Sequence, residues 1–222
     1  MIRKVSLFLA TALLGTFYSA GAQQTTPPTF LDKQLDRMDL GISGAALFNP
    51  MVSGPIDPKG IAPNSGTIVS DSTSNTAGAL VNLRYVAKPL VGFEFNFLYS
   101  RYTENFSYPP PNFGVQTQAD EITLGYLVTP KFTLLGLHPF ASVGVGTTEF
   151  KPTPHGGEGL TRQARMTYYY SIGVQQDLSP HFGLRAAYRQ TFYLAPDFGQ
   201  NYLTILQHTS AYEPTIGFYL RF

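Results

Sequence analysis

Few side chains in this sequence are placed for covalent chemistry. His208-Thr209-Ser210 followed by Glu213 has the parts of an activated hydroxyl: a base two residues from a serine, and a carboxylate that could orient the base. Side chains alternate between faces along a β-strand, so His208 and Ser210 would share one face and Glu213 the other. His208 and Ser210 are therefore expected at a loop edge, with no catalytic role. The other histidines, His138, His155 and His181, make neither an HExxH pattern nor a pair two residues apart, and cysteine is absent. No metal site, disulfide or thiolate chemistry is expected. Gly144-Val145-Gly146 lacks the third glycine and following helix of a phosphate loop and reads as glycines facing a narrow space. No catalytic, cofactor-binding or metal-binding residue is assigned.

What remains is electrostatic. Arg84, Glu94, Glu121, Arg185, Arg189, Glu213 and Arg221 all fall opposite an apolar face in segments where apolar residues recur at alternate positions, which calls for strands with two unlike faces. Eight segments carry that pattern: 38–48, 76–87, 90–103, 117–129, 137–150, 165–178, 182–194 and 209–222. In the third, Val91, Phe93, Phe95, Phe97 and Tyr99 oppose Gly92, Glu94, Asn96 and Ser100, with Leu98 the exception. The first, MDLGISGAALF, has the weakest pattern because both its faces are largely small or apolar. Most segments exceed the five or six residues usual in soluble strands and match the roughly 9–11 that cross a bilayer at a tilt.

Connections alternate in length. Those at 49–75, 104–116, 151–164 and 195–208 are long and rich in Gly, Pro, Ser and Asn, while those at 88–89, 130–136 and 179–181 are short. Composition agrees with a membrane strand protein. Aromatic residues make up 14% and charged residues only 13%, against about 25% charged in soluble domains. After the N-terminal stretch no apolar run is long enough for a spanning helix. The charge balance, +1 overall, gives no basic excess for a nucleic-acid partner. The expectation is an all-β, eight-stranded antiparallel up-and-down transmembrane β-barrel.

The chemistry of the second face decides its direction. It carries Arg and Glu but no Lys, together with many Gly, Ser and Thr. A solvated surface would use Lys and waste the small residues. An eight-stranded lumen is only wide enough to be filled by side chains, and there Arg forks can bridge carboxylates. Arg84, Glu94, Glu121, Arg185, Arg189, Glu213 and Arg221 are thus expected as a lumen charge network, with the aromatics outward at the lipid interfaces.

The N-terminus reads as a signal peptide: Arg3 and Lys4, an uncharged apolar stretch from Val5 to Ala20, and Ala20-Gly21-Ala22 as a cleavage site. The expected organisation is a signal peptide at 1–22, cleaved after Ala22, a periplasmic lead-in at 23–37 and a barrel at 38–222. The last residues, IGFYLRF, alternate apolar and other residues and end on Phe222. Here the chain resembles the outer-membrane barrel family of the OmpA, OmpX and opacity-protein type. That resemblance implies that Ile216, Phe218, Leu220 and Phe222 are read by the barrel-assembly machinery, and that the protein resides in the outer membrane of a Gram-negative cell. Lipid A deacylases of the outer membrane also pair a His-x-Ser with a downstream Glu, but Glu213 follows Ser210 too closely for that pattern. The function expected is a non-enzymatic scaffold presenting long extracellular loops for surface recognition or adhesion. The alternatives are a narrow pore for small solutes and, behind it, a lipid A-modifying hydrolase. Expected partners are outer-membrane lipids and lipopolysaccharide, the assembly machinery and an unknown loop ligand, with no cofactor; the protein is expected to be a monomer.

Overall fold

The computed structural model describes residues 29–222 except 57–59, 61–64, 89, 108–111, 155 and 158. The expected signal peptide and its cleavage site lie outside the described residues. The chain divides into two units, Met1–Gln34 and Leu35–Phe222. At the end of the first, Thr29 caps a short helix α1 (Phe30–Leu35): the Asp32 amide donates to Thr29 Oγ1 (3.3 Å), and the Thr29 amide donates back to the Asp32 carboxylate (2.7 Å).

The second unit is a closed eight-stranded antiparallel barrel. Among the described residues its strands are β1 (Met38–Leu47), β2 (Val52–Pro55), β3 (Ile68–Thr73), β4 (Thr76–Lys88), β5 (Val91–Ser107), β6 (Phe113–Val128), β7 (His138–Pro152), β8 (Gln163–Ser179), β9 (Phe182–Leu194) and β10 (His208–Arg221). In the wall β1 pairs with β4, successive strands from β4 to β10 pair with one another, and β1 pairs with β10 from Asp39↔Arg221 to Ala45↔Thr215, which closes the cylinder. Closure leaves no free edge within the cylinder. The weakly patterned segment 38–48 is a full member of the wall, β1.

The short connections and both ends of the barrel chain lie at one end, here called lower. In the connection between β6 and β7, Leu135 and Gly136 both take positive φ (53° and 81°) between bridged Leu134 and Leu137, the geometry of a two-residue hairpin tip. The upper end departs from the sequence expectation. The segment 49–75 is not a loop throughout: β2 and β3 pair with each other, and β3 continues beside β5 from Ser70↔Ser107 to Thr73↔Glu104. Strands β5 to β8 also run two to four residues past their expected upper ends. Ser, Thr and Asp on both faces of β3 hide its period-two signal, so tertiary pairing rather than local pattern makes it a strand.

Alternation sorts the wall. Outward and exposed are Phe93, Phe95, Phe97 and Tyr99 on β5, Ile122, Leu124 and Tyr126 on β6, and Tyr168, Tyr170 and Ile172 on β8. The apolar belt ends on β5 at Tyr99 and on β6 at Ile122; above it the same faces carry Arg101, Thr103 and Asn105, and Gln116, Gln118 and Asp120. Lys151 bridges Asp120 (2.7 Å) and Glu149 (2.9 Å) just above this line.

The inner glycines let β6 and β7 approach. A Cβ on Gly146 would collide with the Ile122 carbonyl oxygen and lie 2.6 Å from Thr123 Cα, whereas one on Gly44 would meet only Ile216 O at 4.0 Å. Gly146→Val is expected to destabilise the barrel by roughly 1–3 kcal/mol or more through overpacking against backbone. Gly44→Ala should change stability by less than about 0.5 kcal/mol. Urea unfolding in lipid vesicles, followed by the tyrosine signal, measures both.

Candidate functional site: the charged barrel interior and its cap

Within the belt, the interior is built from three arginines, each set against a carboxylate and an aromatic face. Arg189 on β9 is 2% exposed and pairs with both Glu121 of β6 and Glu213 of β10; it also donates to Thr123 Oγ1 (3.1 Å), while Thr191 Oγ1 donates to Glu213 (3.0 Å). Its guanidinium carbon lies 4.5 Å from the centre of the Tyr169 ring. Arg84 on β4 pairs with Glu94 of β5 and lies 4.0 Å over Phe140. Glu94 also accepts from Asn96 (3.0 Å), Ser142 (3.1 Å) and the Tyr169 hydroxyl (3.3 Å). Arg185 donates to Asp39 (2.9 Å), Asn82 (2.8 Å) and Gln175 (3.1 Å), and lies 4.5 Å over Tyr219.

Six of the seven residues expected to share the interior are therefore buried there in ion pairs. The seventh, Arg221, stands apart: it is partly exposed at the lower rim, 3.2 Å from Asp177. Sequence reasoning missed Asp39 and the aromatic seats Phe140, Tyr169 and Tyr219. Asp39 has the inward parity of Ser43 in β1, a signal visible once that strand is accepted. Tyr169 and Tyr219 occupy the polar parity of strands whose other tyrosines point outward, which composition alone does not separate.

The geometry of the His208 group follows strand alternation. His208 and Ser210 belong to β10 rather than to a loop edge, because they pair with Leu194 and Phe192 of β9. Glu213 points into the barrel and is held by Arg189 and Thr191, so the three side chains do not converge. Ile216 and Phe218 are exposed on the outer face of β10, and the backbone amide of Phe222 donates to Met38 O (3.4 Å) beyond its end. Among the described residues no group of three or more His, Cys, Asp or Glu side chains is placed to hold a metal ion.

A lower vestibule of about 460 Å³, lined by Asp39, Arg84, Gln175 and Arg221 among others, opens below the ion pairs. Above it the interior tightens. The space between Leu47, Leu98, Glu121, Thr148, Tyr193 and Glu213 amounts to about 20 Å³, room for roughly one water. Leu98, the exception to alternation in its strand, packs there with Ala45, Leu47 and Leu80.

Higher still, the upper extension has an apolar core of its own. Ile56, Val69, Tyr102, Phe106, Phe150 and Tyr193 pack against Phe198, Leu203 and Ile205 from the connection between β9 and β10. Asp197 fastens that cap by accepting from Gln163 (2.6 Å), Thr204 (3.0 Å) and the Gly199 amide (3.1 Å), and it pairs with Arg165 (3.0 Å). Burial opposes its charge, but these donors and the arginine together hold the Asp197 carboxyl below its ordinary value.

Wall and interior together define a small up-and-down barrel with an apolar outer belt and a filled, charged lumen. Solved outer-membrane barrels share this fold. The outer membrane protein OprG from Pseudomonas aeruginosa matches with a TM-score of 0.60 at 14% identity, over 83% of this chain and 95% of that one. Neisserial surface protein A matches with a TM-score of 0.54 at 12% identity, over 83% and 97%. No protein-family model matches the sequence, and no curated protein does.

Arg189 is the sharpest test of the interior. Arg189→Ala leaves Glu121 and Glu213 buried without a cation and is expected to cost about 3–5 kcal/mol. Adding Glu121→Gln and Glu213→Gln should restore most of that loss, whereas Arg221→Ala alone should cost less than about 1 kcal/mol. Urea unfolding in vesicles measures the set, and equal losses for Arg189→Ala and Arg221→Ala would contradict the assignment.

Proposed function

We propose that this chain is an integral outer-membrane barrel with no catalytic activity, whose charged lumen is a structural core and whose upper end is the working surface, presenting its connections for recognition or adhesion. The observation that carries the reading is the pairing of a continuous apolar outer belt with buried ion pairs inside. An apolar exterior of this extent fits a lipid surround, as in outer-membrane barrels. The unlike structural relatives OprG and Neisserial surface protein A support a membrane barrel through fold alone. In this reading the lower end faces the periplasm and the upper end the outside, the surrounding lipids and lipopolysaccharide are its immediate partners, and it acts as a monomer. The small spaces above the vestibule weigh against a solute pore.

Fractionation tests this reading. The protein should be recovered in the outer membrane and migrate differently on gels before and after boiling, and it should give no stable single-channel steps in planar bilayers. Recovery as a soluble periplasmic protein without detergent would refute the membrane reading, and reproducible conductance steps would replace the scaffold with a pore.

Ile216, Phe218, Leu220 and Phe222 are proposed as the assembly signal, read by the machinery that inserts the barrel. Phe222 is 44% exposed and lies beyond the last strand. Phe222→Ala should therefore lower the amount of barrel in the outer membrane while leaving the urea midpoint of the refolded protein unchanged. A parallel fall in both would make Phe222 a packing residue instead.

A further inference from the structure

Each charged side chain buried inside the belt has an opposite charge against it. Among the described residues, one pair above the belt does not. Asp71 of β3 is 4% exposed and Glu104 of β5 is 1% exposed. Thr73 stands opposite Glu104 and Phe106 opposite Asp71 in the β3–β5 pairing, so the two carboxylates are diagonal neighbours on the inner face. Both line a cavity of about 10 Å³ with Asn49, Thr73, Tyr193 and Thr209, roughly the room of one water or one bare ion. None of the described residues lining that cavity is Lys, Arg or His.

The oxygens there lack donors. Both carboxylate oxygens of Glu104, Oδ1 of Asp71 and Oδ1 of Asn49 are buried without a hydrogen-bond partner. The Asn49 amide nitrogen is committed to Thr73 Oγ1 at 2.7 Å, which leaves its oxygen free. Burial pushes the Asp71 carboxyl up to about 7, and burial together with the charge of Asp71 pushes Glu104 well above the carboxylate range. Two carboxylates without a counter-charge are costly in such a place. The donor set contains oxygen alone, with no nitrogen or sulfur ligand, and its formal charge of two matches one divalent ion.

We propose that Asp71 and Glu104, with the Asn49 side-chain oxygen, bind one hard divalent cation of the calcium type. Hard cations take carboxylate and carbonyl oxygens in variable geometry, and calcium demands less regular coordination than magnesium. Bound there, the ion ties together the exit of β1, β3 and β5, the three pieces that raise the wall above the belt. It thereby stabilises the capped upper end.

Calcium titration of the detergent-solubilised protein at pH 8 after chelator treatment tests this, read by calorimetry and thermal melting. One calcium per chain should bind with a dissociation constant on the order of 1 mM or tighter, and the melting temperature should rise. Glu104→Gln and Asp71→Asn keep side-chain shape and remove an uncompensated charge, so in chelator they should melt no lower than wild type. In each variant, binding should weaken by about tenfold or more. Asn49→Ala, which keeps both carboxylates, should also weaken it. Undiminished calcium binding in both carboxylate variants would overturn the site. So would a wild type indifferent to calcium whose melting temperature rises between pH 8 and pH 5 while the variants' do not, since protons rather than a metal ion would then neutralise the pair.

Discussion

Arg189 must stay charged although it is only 2% exposed, and much of the barrel interior follows from how that is arranged. Its guanidinium reaches Glu121 on β6 and Glu213 on β10, so one side chain of β9 spans the lumen between strands that are not neighbours in the wall. A one-residue slip of any of these strands would turn its charged residue outward into the apolar belt. The ion pairs thus fix register more than they add net stability, since desolvation offsets most of their attraction. The rings beneath Arg84, Arg185 and Arg189 serve the same end, because a guanidinium seated on an aromatic face keeps its orientation while its edge donates to carboxylates.

The interior has two chemistries in sequence along the axis. Inside the belt it is ionic and small-residue rich; above the belt it becomes an apolar core like that of a water-soluble domain. The change follows the surroundings of the wall. In the proposed membrane setting, the belt facing lipid uses apolar residues outward and the inside receives the polar set. Where the outside meets water, Arg101, Gln118, Asp120 and Lys151 face out, and Phe106, Phe150 and Phe198 can turn in. Large buried side chains of this kind contribute about 1.5–3 kcal/mol each, so the upper extension is held by burial and not by its strand pairs alone.

How much of this was legible in the sequence depended on how cleanly each segment separated its faces. In β5 the run from Val91 to Ser100 assigns nearly every side chain, and its strand and inward charge could be read directly. In β1 both faces are largely small or apolar, so Asp39 is not assigned from the pattern although it pairs with Arg185. In β3 the polar residues occupy both faces, and only pairing with β2 and β5 makes it a strand. The partners of an ion pair were legible as a set but not as pairs. Glu94 and Arg84 are directly opposite in adjacent strands, while Arg189 and Glu121 meet only across the closed cylinder. Closure itself has no local signature.

Solute passage would have to undo both interiors. Arg189 would need to leave two carboxylates at once, each then buried without its counter-charge. The cap would also have to lift Phe198, Leu203 and Ile205 out of contact and break the hydrogen bonds and the ion pair that hold Asp197. These obstacles lie at different heights and share no side chain, so removing one leaves the other in place. A barrel whose transport depended on opening would be served by a single bistable constriction. Two independent closures, one ionic and one apolar, suit a wall that holds its upper end rigid, and this is why the working surface of the proposed scaffold is placed outside the lumen.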